Sequence, residues 1–122
     1  MKAMDIIERV DLLEANQYSP EQKLHWLSTL DGKIYEELMA RSSGENARPG
    51  EYSTGEEELL IAFPFGEDIY YYYLQAMIAA ENSETQRYNK RMTMFNSALA
   101  EYESWYIRNH APAGNSGDHF RF

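Results

Sequence analysis

The sequence predicts an all-α fold, a bundle of about four helices in a single domain that covers residues 1–110. Three observations carry this prediction. Apolar residues recur at helical spacing in four separate stretches of the chain. A complete helix start signal is present at Ser19-Pro20-Glu21-Gln22. The composition, with 43% hydrophobic and 25% charged residues in 122, is that of one globular domain with one core.

The first two helices are predicted from Met4 to about Glu14 and from the Ser19 cap to about Arg41. The first has its apolar residues on one face, at Ile6, Ile7, Val10 and Leu13. The second carries an aliphatic stripe made of Leu24, Leu27, Leu30, Ile34 and Leu38. Gly32 lies inside this helix and predicts a bend or a break there, because glycine is a poor helix former.

A third helix is predicted from about Glu67 to Asn82. It is apolar nearly all the way round, which indicates a central helix of the bundle or one buried by another subunit. The sequence Ser83-Glu84-Thr85-Gln86 then repeats the capping-box pattern, so either a fourth helix starts there or one long helix continues. The following stripe predicts close packing against a neighbouring helix, with four-three-four-three-four spacing of Tyr88, Met92, Phe95, Leu99, Tyr102 and Tyr106.

Three segments lack helical periodicity. Residues 42–57 contain three glycines and one proline and predict a long loop, either mobile or ordered only by a partner. Residues 59–65 form a short apolar run that ends at Pro64-Phe65; we expect an extended segment, because a residue that precedes proline avoids the helical region. Residues 111–122 are predicted to be a flexible C-terminal tail.

The charge of the chain argues against several classes of function. A net charge of −9 repels phosphate groups, so specific nucleic-acid binding and attraction to an anionic membrane are both disfavoured. No apolar run approaches the ~20 residues that span a bilayer. The one basic patch contains Arg87, Lys90 and Arg91, and an exposed or intermolecular helix face explains it better than a nucleic-acid site.

The sequence shows no pattern typical of catalysis or cofactor binding. Cysteine is absent, which excludes disulfides and thiolate chemistry. None of the three histidines has an acidic residue three positions before it, as a di-metal bundle requires. The acidic run Glu56-Glu57-Glu58 is interpreted as solvated. We therefore predict no enzyme, no cofactor and no metal, against the competing hypothesis of a small helical hydrolase.

The aromatic residues raise the possibility of a protein interface. Tyr70 to Tyr73 follow one another on a predicted helix and so point in four directions. In one interpretation Tyr70 and Tyr73 are buried and the other two are half exposed; in the other, Tyr71 or Tyr72 anchors an interface. The candidate interface residues lie on helix faces outside the main stripes and are Trp26, Tyr71, Tyr72, Ile78 and Trp105.

Several short stretches resemble small proteins of the structural gene clusters of phages and prophages of Gram-positive bacteria. They are NQYSPEQKLHWL at 16–27, LDGKIY at 30–35, YYL at 72–74, RYN at 87–89, MFN at 94–96 and WY at 105–106. The loop and the tail contribute nothing to the likeness. The resemblance implies a helical head–tail connector, or adaptor, that forms a ring under the portal and has no catalytic residues.

The implied partners are further copies of the chain and portal or other head and tail proteins. The implied location is the bacterial host cytoplasm during assembly, and the virion if the prophage is functional. One alternative is a helical DNA-packaging or regulatory protein of phage origin, which would need a basic recognition helix. Another is a monomeric structural domain whose tyrosines all serve the core.

Overall fold

The computed structural model describes residues 1–40 and 47–110 and confirms the all-α fold. Its helices are α1 (Ala3–Leu13), α2 (Pro20–Ile34), α3 (Phe65–Glu81) and α4 (Thr85–Asn109), and a π-helical turn at Tyr35–Met39 continues α2. The described ranges contain one isolated antiparallel β-bridge, between Lys2 and Glu58, and no β-strand pairing beyond it. No helix in these ranges is long and apolar enough to cross a membrane. The predicted tail, 111–122, lies outside the described residues.

The start of α2 follows its sequence signal. The Ser19 side chain accepts a hydrogen bond of 3.1 Å from the Gln22 N–H, and Pro20 occupies the first turn. The predicted break at Gly32 is wrong, because α2 runs through it and changes to π geometry only at Tyr35. Burial of Leu30 and Ile34 on either side offsets the roughly 1 kcal/mol that one helical glycine costs.

One face of α1 enters the core, but its end does not. Ile6, Ile7 and Val10 are buried, whereas Leu12 and Leu13 are 85% and 60% exposed. The predicted apolar face is therefore right for three of its four residues, and the exception, Leu13, is the last residue of α1.

A short turn at residues 82–84 joins α3 and α4 into a hairpin, the most extensive helix pair of the fold. Of the two alternatives that the sequence left open, a new helix is the one found, but Ser83 does not cap it: its φ is +60° and Glu84 is the N-cap residue. From the predicted stripe on α4, Phe95, Tyr102 and Tyr106 are buried, and the remaining members are partly buried.

The apolar run at residues 59–64, called the extended segment below, forms no strand. The chain bends at residues 60–61 and turns at 63–64, so the prediction of an extended conformation is wrong for these residues, and Phe65 is already helical. Leu59 and Ile61 are buried and anchor this segment to the core. The Phe63–Pro64 peptide is cis, and α3 begins directly after it at Phe65. A Cβ at Gly66 would lie 2.1 Å from the Ile61 carbonyl oxygen, so the turn into α3 closes only around glycine.

The described part of the predicted loop, 47–57, is attached to the first two helices. Its backbone pairs with the start of α1 through Ala3 N–H to Glu57 O (3.0 Å) and Met4 N–H to Gly55 O (2.9 Å). The Tyr52 N–H donates to the Ser28 hydroxyl at 2.8 Å, and the Tyr52 side chain is buried. The expectation that this loop is ordered only by a partner is therefore wrong for residues 47–57, while 41–46 lie outside the described residues.

Candidate protein-interaction surface

Beneath the extended segment lies a buried carboxylate that holds it in place. Asp31, on α2, is fully buried and accepts hydrogen bonds from the Tyr52 hydroxyl (2.6 Å), the Tyr70 hydroxyl (2.6 Å) and the Leu60 N–H (3.0 Å). The Tyr70 hydroxyl also accepts the Ile61 N–H at 2.8 Å. We call Asp31, Tyr52 and Tyr70 the Asp31 hub; it joins α2, the loop, the extended segment and α3.

The electrostatics of the hub suit a structural role. Burial raises the pKa of Asp31 above its ordinary value, although the three hydrogen bonds act in the opposite direction. Burial, together with the nearby Asp31 carboxylate, raises the pKa of Tyr52 and of Tyr70, so both hydroxyls remain protonated donors. Asp31 is shielded from solvent and already accepts three hydrogen bonds. The hub therefore holds the backbone at Leu60 and Ile61 in place and has no accessible site for a substrate.

Directly beside the extended segment, the end of α4 forms one wall of a groove of about 230 Å³, which we call the aromatic groove. Its lining comes from the extended segment, the start of α3 and the last turns of α4: Leu60, Ala62, Phe63, Pro64, Phe65, Tyr102, Trp105, Tyr106 and His110. The groove is therefore made by residues distant in sequence that the hub and the helix hairpin bring together.

The walls of the aromatic groove are fixed by ring contacts. The Phe65 ring centroid lies 5.3 Å from those of both Tyr102 and Trp105. Tyr106 and His110 are stacked, with centroids 3.9 Å apart and ring planes 7° from parallel. The edge-to-face Phe65–Tyr102 pair is of the kind that contributes about 1 kcal/mol beyond the burial of its area. The predicted interface residue Trp105 thus lies in the groove wall, where it is half-buried.

Phe63 stands on the rim of the aromatic groove and is 71% exposed. Its exposure is imposed by the backbone, since Leu60 and Ile61 are tied to the hub on one side and Gly66 N–H donates to Ala62 O at 3.0 Å on the other. The sequence interpretation missed Phe63 and treated 59–65 only as an apolar run. The available signal was Pro64, which interrupts that run just before a helix.

Tyr71 and Tyr72 are half-buried on α3 and do not line the aromatic groove. The Arg9 guanidinium lies 4.5 Å from the centroid of the Tyr71 ring and 3.3 Å from the Glu67 carboxylate. This contact joins α1 to α3 within the chain and covers part of Tyr71. The Tyr71 and Tyr72 rings contact each other, with centroids 5.7 Å apart.

Two of the predicted interface residues are core residues, which corrects that assignment. Ile78 is 1% exposed, because α1, α2 and α4 surround α3 on the side that the sequence left without a neighbour. Trp26 is 8% exposed and packs its ring edge-on against Tyr18, with centroids 5.6 Å apart. Of the four consecutive tyrosines, only Tyr70 is buried; Tyr73 is half-buried, against the interpretation that placed it in the core.

The basic patch on α4 is partly used inside the chain. Arg87 forms an ion pair of 2.9 Å with Glu14, whose side chain is 10% exposed. One Arg91 nitrogen lies 3.8 Å from the Met94 sulfur. Within residues 1–40 and 47–110, no three histidine, aspartate or glutamate side chains are grouped so that they could hold a metal ion.

Comparisons of the chain with protein-family models, with curated proteins and with solved structures find no match in any of the three.

Proposed function

We propose that the chain is a phage or prophage virion-assembly protein, a head–tail connector or adaptor subunit that acts through protein–protein contacts. The resemblance of its sequence stretches supports the phage role. The aromatic groove with Phe63 on its rim supports the mode of action. The proposed partners are other copies of the chain, the portal protein and other head or tail proteins. The proposed location is the host cytoplasm during assembly, and the virion if the prophage is functional.

The exposed Phe63 is the observation that carries the proposal. A phenylalanine that is 71% exposed leaves a large apolar area in water, and such an area beside an apolar groove is typical of a binding surface. The backbone before Phe63 is fixed by hydrogen bonds from Leu60 and Ile61 to the buried Asp31 and Tyr70 side chains, and the Gly66 N–H donates to the Ala62 carbonyl across Phe63, so little conformational entropy remains to be lost when a partner binds. Aromatic anchors in preformed pockets are the residues that dominate interface energies.

The charge of the chain is consistent with this role. A net charge of −9 lets DNA pass a connector ring without being retained on it. The alternative, a DNA-packaging or regulatory protein of phage origin, depends on the basic residues of α4. Because Arg87 is already paired with Glu14, that alternative has less support than the connector.

The proposal is tested by the mass of the protein in solution, measured by light scattering, alone and with the portal protein of the same phage. We expect a defined oligomer or a complex with the portal, which Phe63→Ser abolishes. Leu12→Ser is the matched control, because Leu12 is 85% exposed and lies outside the aromatic groove.

A chain that stays monomeric and ignores the portal would contradict the connector role. Equal losses from Phe63→Ser and Leu12→Ser would contradict the assignment of the surface. A salt-sensitive shift of DNA in a gel would favour the packaging or regulatory alternative, because phosphate contacts weaken steeply with salt.

A further inference from the structure

A second groove, of about 440 Å³, lies between α3 and α4 and shares no lining residue with the aromatic groove. We call it the Tyr72 groove; it is lined by Tyr72, Thr93, Met94, Ser97, Ala98 and Glu101. We propose that it is the docking site for an arginine side chain of a partner protein of different sequence, with the guanidinium over the Tyr72 ring and paired with Asp68 and Glu101. This inference goes beyond the proposed function and does not depend on the phage role.

The chain already binds one of its own arginines on α3 in this way. The Arg9 guanidinium lies 4.5 Å from the centroid of the Tyr71 ring, and one of its nitrogens is 3.3 Å from the Glu67 carboxylate. Glu67 and Tyr71 are four residues apart, so both lie on one face of the helix. Asp68 and Tyr72 repeat this spacing one residue further along α3. The second pair therefore has the same design as the first, and Arg9 is engaged at the first.

The charges around the Tyr72 groove have one sign. Asp68 and Glu101 are exposed, and neither forms an ion pair within the described part of the chain. α3 contains no lysine or arginine, and α4 has none between Arg91 and Arg108. Along the helix axis these two arginines lie about 15 Å and about 10 Å from Glu101. We therefore expect the cation that complements the two carboxylates to come from another molecule.

A second copy of the chain is a poor source of this cation. Arg9, Arg48 and Arg87 each pair with a carboxylate of their own chain, and Arg91 contacts a methionine sulfur. Of the arginines in the described ranges, a copy that keeps these contacts offers only Arg108. A basic segment of a different protein complements the acidic groove without breaking any of them.

The shape of the groove suits arginine better than lysine. A planar guanidinium stacks on an aromatic face and donates in a fork to a carboxylate, whereas a lysine ammonium acts as a point charge. Ser97 and Ala98 line the groove with short side chains, which leaves room beside the Tyr72 ring. Met94 adds apolar surface on which the methylene groups of an arginine pack. A partner segment without a cation would leave the carboxylates uncompensated.

The experiment is an NMR titration of the full chain with the peptide acetyl-Gly-Arg-Gly-amide. We expect saturable shifts of the backbone amide signals of Tyr72, Ala98 and Glu101. The matched peptide with citrulline in place of arginine has nearly the same shape without the charge, and we expect it to cause no such shifts. Shifts of equal size with the two peptides, or with neither of them, would overturn the proposal.

Two substitutions that change the net charge equally locate the site. We expect Glu101→Gln to raise the Kd of the arginine peptide about threefold, the effect of losing an exposed ion pair. Glu103→Gln is the matched control, because residue 103 lies about 200° around α4 from residue 101 and does not line the groove. We expect it to leave the Kd unchanged. Equal effects of the two would indicate only a general attraction to an acidic chain and would overturn the proposal.

The contribution of the ring is measured with a lysine peptide. We expect acetyl-Gly-Lys-Gly-amide to bind about threefold more weakly than the arginine peptide, and Tyr72→Leu to remove this preference. Equal binding of the two peptides to the native chain would contradict stacking on Tyr72. The comparison of Glu101→Gln with Glu103→Gln does not depend on the folding of Tyr72→Leu.

Two further titrations identify the occupant and separate the two grooves. Shifts of the same amide signals on concentrating the protein alone would assign the Tyr72 groove to a second copy and overturn the assignment to a different protein. Phe63→Ser should leave the peptide titration unchanged, because Phe63 lines only the aromatic groove; loss of peptide binding in this variant would contradict two separate sites. No portal protein is present in these measurements, so their failure leaves the connector proposal as it stands.

Discussion

The N-terminal half of the protein and the α3–α4 hairpin are stabilised by different kinds of contact. In the N-terminal half, buried polar groups join the elements to one another and, through Tyr70, to α3: they are the Asp31 hub and Lys23, which is 1% exposed and pairs with Asp11 at 2.6 Å. In the hairpin the contacts are between rings, such as Tyr73 with Phe95 at 5.2 Å between centroids. The first region depends on the positions of individual donor and acceptor atoms, and the second on volume and shape.

This difference has consequences for tolerance to substitution. A buried polar network is stable only when every member has its partners, so removing one atom leaves others unpaired at the full cost of desolvation. A packed apolar cluster tolerates exchanges that keep its volume. The aromatic groove lies where the two regions meet, since Phe63 is positioned through the hub and Trp105 through the hairpin.

The largest effect that we predict is from Gly66→Ala, at the entrance to α3. The added Cβ would lie 2.1 Å from the Ile61 carbonyl oxygen and 3.1 Å from the Tyr70 ring, so the turn beside the hub must open. We expect the free energy of unfolding to fall by about 3 kcal/mol or more, as for an overpacked site that has no flexible neighbour. Denaturant unfolding followed by circular dichroism measures it.

The control for this change is Gly32→Ala, in the interior of α2. A Cβ at Gly32 meets nothing within 4 Å, and the residue has helical geometry. We expect a gain of about 1 kcal/mol, the difference in helix propensity between the two residues. Equal effects of the two substitutions would show that the Gly66 turn is not tightly closed.

A smaller effect concerns the pH dependence that Asp31 confers. Its pKa is raised in the folded protein above the ordinary value of 3.8, so the folded state binds the proton more tightly than the unfolded one. The stability from this group is therefore complete below pH 3.8 and is lost as pH rises towards the folded-state pKa. We expect the free energy of unfolding of the native chain to fall relative to that of Asp31→Asn over this window, by at most about 1.4 kcal/mol per pH unit.

The comparison is made by urea unfolding of both proteins at intervals of pH from 3.8 upwards. If the free energies of unfolding of the two proteins changed in parallel with pH, the Asp31 carboxylate would have the same pKa in the folded and unfolded chains. That outcome would contradict the description of Asp31 as a desolvated acceptor.

The smallest effect is expected at Glu57, whose pKa moves in the opposite direction. Its carboxylate accepts the N–H groups of Ser53, Thr54 and Gly55, and these bonds lower its pKa from 4.5 to about 2. The stability from this group is present above pH 4.5 and is lost as pH falls towards 2. We expect Glu57→Gln to speed hydrogen exchange at the three amides at neutral pH and to remove their acid sensitivity.

Glu56→Gln is the control for Glu57→Gln. The Glu56 carboxylate pairs with Lys2 at the surface instead of accepting the loop amides. Unchanged exchange at Ser53, Thr54 and Gly55 in Glu57→Gln would contradict this account of the loop.

The sequence predicted those parts of the fold that depend on local pattern. The Ser19 cap, the α4 stripe and the number of helices all follow from the spacing of residues close in the chain. The error at Gly32 has a tertiary cause, because buried neighbours outweighed its weak propensity. Ser83 was assigned to the cap from the sequence pattern alone, whereas its positive φ places it in the turn between α3 and α4.

The candidate surface was less predictable, because it is built from long-range contacts. Asp31 is one acidic residue among many in an acidic chain, and only the fold brings Tyr52, Leu60 and Tyr70 to it. Ile78 was predicted at an interface because its helix is apolar on opposite sides, which a central position in the bundle also explains. Trp105 was predicted at an interface because it lies on the second apolar face of its helix. Phe63, which lines the same groove, belongs to no periodic pattern in the sequence.

The most direct test of the difference between the two kinds of contact is to remove one hydroxyl from the Asp31 hub and one from the ring contacts of the hairpin. Tyr70 and Tyr102 are both buried, at 0% and 6% exposure. The Tyr70 hydroxyl bridges Asp31 and the Ile61 N–H, whereas the Tyr102 hydroxyl has no hydrogen-bond partner in the described part of the chain. The measurement is the free energy of unfolding of Tyr70→Phe and of Tyr102→Phe.

We predict that Tyr70→Phe costs about 3 kcal/mol, because it leaves a buried N–H unpaired and removes a hydrogen bond to a carboxylate. Tyr102→Phe should change stability by less than about 0.5 kcal/mol, since the ring and its contacts remain. Equal costs for the two substitutions would contradict the account, because the hub would then contribute no more than an ordinary packed ring.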